Sequence, residues 1–200
     1  MQKLICFDLD GVLVDACEWH RVALNEALQK FSLKPISLED HYTKYNGLPT
    51  VKKLEAMGIV DSTLVNLINT EKQKVTKNLI NQLSIDNSKI ELLSILKRNG
   101  FLIACVTNSI RETMQLMLEK TGQLDYIDFS VTNQDVKNPK PSSEPYIQAM
   151  VKLNCFPRNT WIVEDSPTGL LSARNTGATV IQVKDSTEVT VKNIYDNYLA

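Results

Sequence analysis

The chain has 200 residues, 43% hydrophobic and 22% charged, with 22 Lys and Arg against 23 Asp and Glu for a formal charge of -1. That size suits one large globular domain or a domain carrying an insertion. The balanced charge, without a Lys/Arg cluster, excludes the electrostatic footprint of a nucleic-acid binder. No apolar run is long enough to span a bilayer and no secretory leader pattern opens the chain, so the expected setting is the cytoplasm and the expected partner a small molecule, not nucleic acid or membrane.

The first element is an apolar strand, "KLICFDL", which runs into "DLDG" and so ends on two aspartates, Asp8 and Asp10. Residues two apart on a strand point the same way, so these carboxylates converge where the strand stops, and Gly11 lets the chain turn away. Unpaired carboxylates leaving water cost several kcal/mol or shift their pKa, so something must compensate them. From about residue 16 to residue 86 only helical patterns follow. "CEWHRVALNEALQKF" sets Trp19, Val22, Ala23, Ala27 and Phe31 near one face, and "TVKKLEAMG" and "STLVNLINTEKQKVTKNLINQL" come after it. The flanks "VDA" and "LSIDNS" are expected to be hinge strands of this insertion.

Beyond it, strands and helices alternate. "IELLSILKRNG" has a cap at Ser88 and a stop at Gly100, "FLIACVT", "DFSVT", "TWIVED" and "TVIQV" read as strands, and "PTGLLSARNTG" starts with a proline and ends at Gly177. Such alternation predicts an α/β fold with a parallel sheet wrapped by helices. The four cysteines, Cys6, Cys17, Cys105 and Cys155, are far apart with no CxxC pair and read as reduced thiols.

In open parallel sheets ligands sit at the carboxyl ends of the strands. There the second strand brings Thr107 and Asn108, "IVEDS" brings Glu164 and Asp165, and the proline-stiffened loop "KNPKPSSEPY" brings Lys140. Four carboxylates, a hydroxyl and an ammonium on one rim repel unless a cation joins them; few acidic ligands plus waters suit Mg2+ better than calcium.

The ordered set "DLDGV", "VTN", "KP" before "EPY" and "VEDSPTG" resembles the four motifs of the haloacid dehalogenase superfamily, and "FDLDGVLVDACEWH" resembles its branch of β-phosphoglucomutases and sugar-phosphate phosphatases. The resemblance implies a Rossmann-like core of residues 1–15 and 87–200 with a helical cap at 16–86. It implies a magnesium-dependent phosphatase acting on a small phosphorylated metabolite. Asp8 would be the nucleophile that forms an aspartyl-phosphate, and Asp10 the general acid and base, expected to keep a proton near neutral pH. Thr107 would hold phosphoryl oxygens and Lys140 would neutralise charge. Asp8, Asp10 through its carbonyl, Asp165 and Glu164 would surround the metal.

Substrate contacts are expected from Asn108, Gly47, His20, Arg111 and Thr50. His20 either touches substrate or guides closure, or is an ordinary imidazole on an amphipathic helix; Arg111 either anchors a phosphate or caps the next helix. Two other readings stand beside the phosphatase. A phosphosugar mutase would want an arginine where Thr50 stands, to grip a second phosphate; a silent binding protein would have lost a nucleophile or metal ligand, and none is missing. Nothing in the pattern demands a partner chain, so a monomer is expected.

Overall fold

The computed structural model describes residues 2–196. Five strands, β1 (Lys3–Phe7), β2 (Phe101–Val106), β3 (Phe129–Val131), β4 (Thr160–Glu164) and β5 (Thr179–Gln182), form one parallel sheet in the order β3-β2-β1-β4-β5. Ile5 sits level with Ile103 on β2 and with Trp161 on β4. The strand that carries the aspartates is therefore central, and the strands ending at Val106 and Glu164 flank it. That order sets the strand-end motifs side by side at the middle of the sheet edge.

Both faces of the sheet are buried, as parallel sheets require. Ile5, Phe7, Ile103, Cys105 and Val163 pack on one side with Leu92, Leu93 and Leu96 of α5 (Asn87–Arg98) and Met114 and Met117 of α6 (Arg111–Lys120). Leu4, Cys6, Ala104, Val106 and Ile162 pack on the other with Tyr146 and Ala149 of α7 (Glu144–Lys152) and Ala173 of α8 (Pro167–Arg174). The period-two alternation along β1 is complete.

Between β1 and α5 the described residues form only helices and turns: α1 (Cys17–Lys30), the short α2 (Leu38–Asp40) running into a π turn (His41–Tyr45), α3 (Thr50–Ala56) and α4 (Ser62–Ile80). This segment has a core of its own, built from Leu24, Ala27, Leu28, Ile36, Leu54, Val65 and Ile68. Each fully buried leucine there contributes roughly 1.5–3 kcal/mol. The stripe on α1 is Ala23, Leu24, Ala27 and Leu28, with Trp19 and Phe31 only half-buried, so the face expected from the sequence is rotated slightly.

Three local expectations change. The hinge segments form no strands: residues 83–86 have no regular structure, and near Val14 there is only a single bridge to Asp10. The helix α5 is capped by Asp86, whose carboxylate accepts from Lys89 N–H, and not by Ser88, which lies inside its first turn. The helix α8 stops at Arg174, short of Gly177. All four cysteines are free, and among the described residues no helix is long and apolar enough to cross a membrane.

Candidate active site

Asp8 follows the last residue of β1, and its backbone N–H still bonds to Val163 O on β4. Its Oδ1 accepts from Lys140 Nζ at 2.8 Å. Lys140 is 3% exposed, also pairs with Glu164 Oε1, and lies 4.7 Å over the Tyr146 ring. Burial alone would lower the Lys140 pKa, but Asp8 and Glu164 outweigh it and raise it, so the ammonium stays charged. Asn108 sets the lysine in place: its amide accepts from Lys140 N–H at 3.1 Å and donates to Lys140 O at 3.0 Å.

Glu164 is fully buried at the end of β4. Tyr146 donates to its Oε1 at 2.7 Å and Asp165 N–H to its Oε2 at 3.1 Å. Gly169 on α8 backs directly onto this carboxylate, since a Cβ there would lie 1.9 Å from Oε1. The glycine exists for that approach. Asp8, Glu164 and Asp165 each bring a carboxylate oxygen within 4.8 Å of the others. Burial, with Glu164 beside it, pushes Asp165 up to about 7; burial also raises Asp8 well above the ordinary carboxylate range, against the pull of Lys140. The buried Oδ1 of Asp165 has no hydrogen-bond partner among the described residues. Three carboxylates served by one ammonium, with an orphaned oxygen among them, have the donor set and the charge deficit that a hard divalent cation relieves.

Asp10 is held differently. Its Oδ1 meets His20 Nε2 at 2.7 Å and its Oδ2 accepts from Ser109 Oγ at 2.8 Å. On the far side of the ring, His20 Nδ1 faces Lys72 Nζ at 3.1 Å. An ammonium only donates, so Nδ1 accepts and the imidazole proton sits on Nε2, donated to Asp10. His20 is thus neutral, as burial and the nearby Lys72 dictate by lowering its pKa despite Asp10. For Asp10 burial acts upward, but His20, the Ser109 hydroxyl and the charge of Lys72 outweigh it and hold the pKa below the usual value. The expectation that Asp10 keeps a proton near neutral pH is therefore corrected: its two acceptor bonds favour the carboxylate.

Asp8, Asp10, His20, Thr107, Lys140, Gly47 and Thr50 all line one cavity of about 120 Å³ between the sheet edge and the helical insertion. Thr107 Oγ1 accepts from Ser109 N–H at 2.9 Å, leaving its own hydrogen free to donate into the cavity. Gly47, at φ +76°, presses the insertion onto the core: a Cβ would lie 2.8 Å from Ser166 Oγ. Its carbonyl accepts from Asn108 Nδ2 at 2.7 Å, and Asn46 O accepts from Thr168 Oγ1 at 3.2 Å.

Of the other expected substrate contacts, Asn108 lies at the cavity with its side chain engaged and Arg111 lies away from it. The Asn108 side chain also lines the cavity, but both amide hydrogens and its oxygen serve Gly47 and Lys140. Arg111 turns to the opposite side of α6, paired with Asp135 and lining a separate surface groove with Leu124 and Gln148. Conversely, Ser109, Tyr146, Gly169, Lys53 and Lys72 were not singled out by the sequence reading, although Ser109, one residue past "VTN", was signalled by its place at the strand end.

The chain that builds this site matches the model of the haloacid dehalogenase-like hydrolase family over residues 5–183. The chain belongs to that family, as an enzyme of its phosphatase class. Among its relatives is the pyrophosphatase PpaX of Bacillus velezensis, 28% identical over 181 residues, covering 86% of this chain and 79% of the relative. Another is a phosphoglycolate phosphatase of Mannheimia succiniciproducens, 29% identical over 191 residues, covering 90% of this chain and 84% of the relative. The structure of a β-phosphoglucomutase from Clostridium difficile has the same fold, with a TM-score of 0.85 at 21% identity, covering 99% of this chain and 97% of that one.

Proposed function

We propose that this protein is a magnesium-dependent phosphatase of a small phosphate monoester, with the helical segment 16–86 as a cap that selects substrate and residues 1–15 and 87–200 as the catalytic core. One observation carries the reading: Asp8 presents a carboxylate with one oxygen pinned by Lys140 and the other without a hydrogen bond among the described residues, in the same cavity as an ionised Asp10. The free oxygen of Asp8 attacks phosphorus, the P–O bond to the leaving alkoxide breaks, and an aspartyl-phosphate forms. Thr107 donates to a phosphoryl oxygen and Lys140 balances the charge on Asp8 and the transferred group.

Asp10 supplies and recovers the proton. An arriving phosphate dianion sets like charge against Asp10 and raises its pKa, which lets it carry the proton that the alkoxide takes. Returned to the carboxylate, it removes a proton from the water that attacks the aspartyl-phosphate. The neutral His20 orients it throughout. Asp8, Asp165 and, directly or through water, Glu164 would hold Mg2+, which neutralises phosphoryl charge when bound. The Asp10 carbonyl is a further ligand by family resemblance. We place the enzyme in the cytoplasm as a monomer, consistent with its four free thiols.

The relatives named as a pyrophosphatase and a phosphoglycolate phosphatase support compact substrates, as does the size of the cavity. The test is phosphate release from sugar phosphates, phosphoglycolate, pyrophosphate and nucleotides, with and without magnesium, against Asp8→Asn. Magnesium-dependent release abolished in Asp8→Asn supports the reading. Interconversion of hexose phosphates primed by a bisphosphate, without net release, would replace it by a mutase.

A further inference from the structure

Two ammonium groups in the cavity are left over by this chemistry. Lys53 on α3 and Lys72 on α4 are each 7% exposed, and both line the cavity together with Asp8 and Asp10. Lys53 has no hydrogen bond or ion pair among the described residues, and Lys72 meets only the His20 ring. Buried lysines are normally paired; Lys140, in the same cavity, has two carboxylates. Burial pushes Lys53 and Lys72 down to about 8 each, and the charge of Lys53 adds to the strain on Lys72, against the pull of Asp10. Positioning His20 accounts for one of them at most. It leaves Lys53 without a purpose.

The two lysines belong to the insertion, whereas Asp8, Thr107 and Lys140 belong to the sheet edge. A ligand whose phosphate lies against Asp8 therefore meets these ammonium groups with its other end. The same cavity is also lined by the amides of Asn69 and Gln73 and the apolar Val51 and Ile110. We infer that Lys53 and Lys72 form a second anion subsite, so that the ester turned over at Asp8 carries, beyond a short linker, a second negative group, carboxylate or phosphoryl. This rests on the phosphatase reading for the place of the first phosphate. The cavity, at about 120 Å³, holds the linker to a few atoms.

The experiment compares kcat/KM of the wild-type enzyme for ethyl phosphate, phosphoethanolamine, phosphoglycolate and pyrophosphate, which differ in the charge of the tail. The subsite predicts phosphoglycolate or pyrophosphate at least about tenfold above ethyl phosphate, the scale of a charge-assisted contact, and phosphoethanolamine below it. Which of the two anions leads identifies the tail. In Lys53→Met the preference for the anionic tail narrows by a similar factor, and Lys53→Arg restores part of it. A flat or reversed order in the wild type overturns the subsite, whatever becomes of the variants. Calorimetry on Asp8→Asn with phosphoglycolate and ethyl phosphate separates the two readings. Preferential binding of phosphoglycolate without any wild-type turnover keeps the subsite and overturns the phosphatase; turnover without a tail preference does the reverse.

Discussion

Asp165 offers a way to read the metal site through stability. Its pKa stands at about 7 in the folded protein against an ordinary 3.8. Between those values the folded state holds a proton that the unfolded chain has released, so stability falls as pH rises through this window, and the loss is complete above about pH 7. A shift of about three units corresponds to roughly 4 kcal/mol at ~1.36 kcal/mol per unit, an upper figure because Asp8 and Glu164 share the repulsion. Asp165→Asn removes the charge. In EDTA at pH 8 the variant should therefore unfold above the wild type, by up to about 16 °C at the ~2–4 °C per kcal/mol expected for a chain of this size. At pH 5 the gap should be small, since the wild-type carboxyl is then protonated in the fold.

Magnesium should invert the ranking at pH 8, raising the wild-type melting temperature and leaving Asp165→Asn nearly unmoved. The rise should be smaller at pH 5.5, where the cation competes with the proton on Asp165. Scanning calorimetry over pH 5–8, with EDTA or magnesium, measures both effects, and subtracting the variant from the wild type cancels contributions of other titrating groups. A variant no more stable than the wild type in EDTA at pH 8 would refute the argument that buried carboxylate repulsion strains this site.

Removing a donor from Asp10, by His20→Gln or Ser109→Ala, should move the acid limb of the pH profile for hydrolysis of the aspartyl-phosphate, followed by single turnover of the phosphorylated enzyme, to higher pH. Asp10 acts as a base whose pKa these contacts depress, and activity is lost as pH falls through it; an unmoved limb would remove Asp10 from that role. Gly169→Ala places a Cβ against the Glu164 carboxylate and should cost roughly 1–3 kcal/mol in denaturant unfolding, with activity reduced. Tyr146→Phe withdraws the hydroxyl that bonds Glu164 and should cost a similar ~1–3 kcal/mol, because the carboxylate stays buried with one donor fewer.

The gathering of carboxylates at one rim was legible because strand-end residues obey local rules. Asp8 and Asp10 share a side by the two-residue period, and a parallel sheet collects its strand ends on one edge whatever its exact order. What those rules do not contain is the identity of hydrogen-bond partners. The protonation of Asp10 lies outside those rules because it depends on His20, ten residues away, and Ser109, ninety-nine away. Asn108 looked like a substrate ligand because an amide at a strand end is free until the tertiary fold spends it. Arg111 failed for a helical reason: four residues past Thr107 it starts a new helix, and its direction follows from Asp135 on a loop the sequence does not place.

The helical insertion shows the same boundary from the other side. Its helices were readable from apolar periodicity, yet the residues that face the active site are those the apolar stripe leaves over. Lys53 falls next to the buried Leu54, at the margin of a packed face, and Lys72 continues the buried stripe of Val65 and Ile68, where a helical pattern reads a lysine as a break in that face. On a solvent-facing insertion such lysines are surface charge. Docking at Gly47, where the missing Cβ lets the loop close onto Ser166 and Thr168, and of α4 onto α6 through Gln73 with Thr113 and Lys77 with Glu112, turns these positions inward over Asp8. The polar wall of the site is therefore a property of the interface between insertion and core, with Gly47 as the closest approach between them: Gly47→Val should shift Lys53, on the helix that follows it, away from Asp8 while leaving the sheet, and the contact of Asp8 with Lys140, intact.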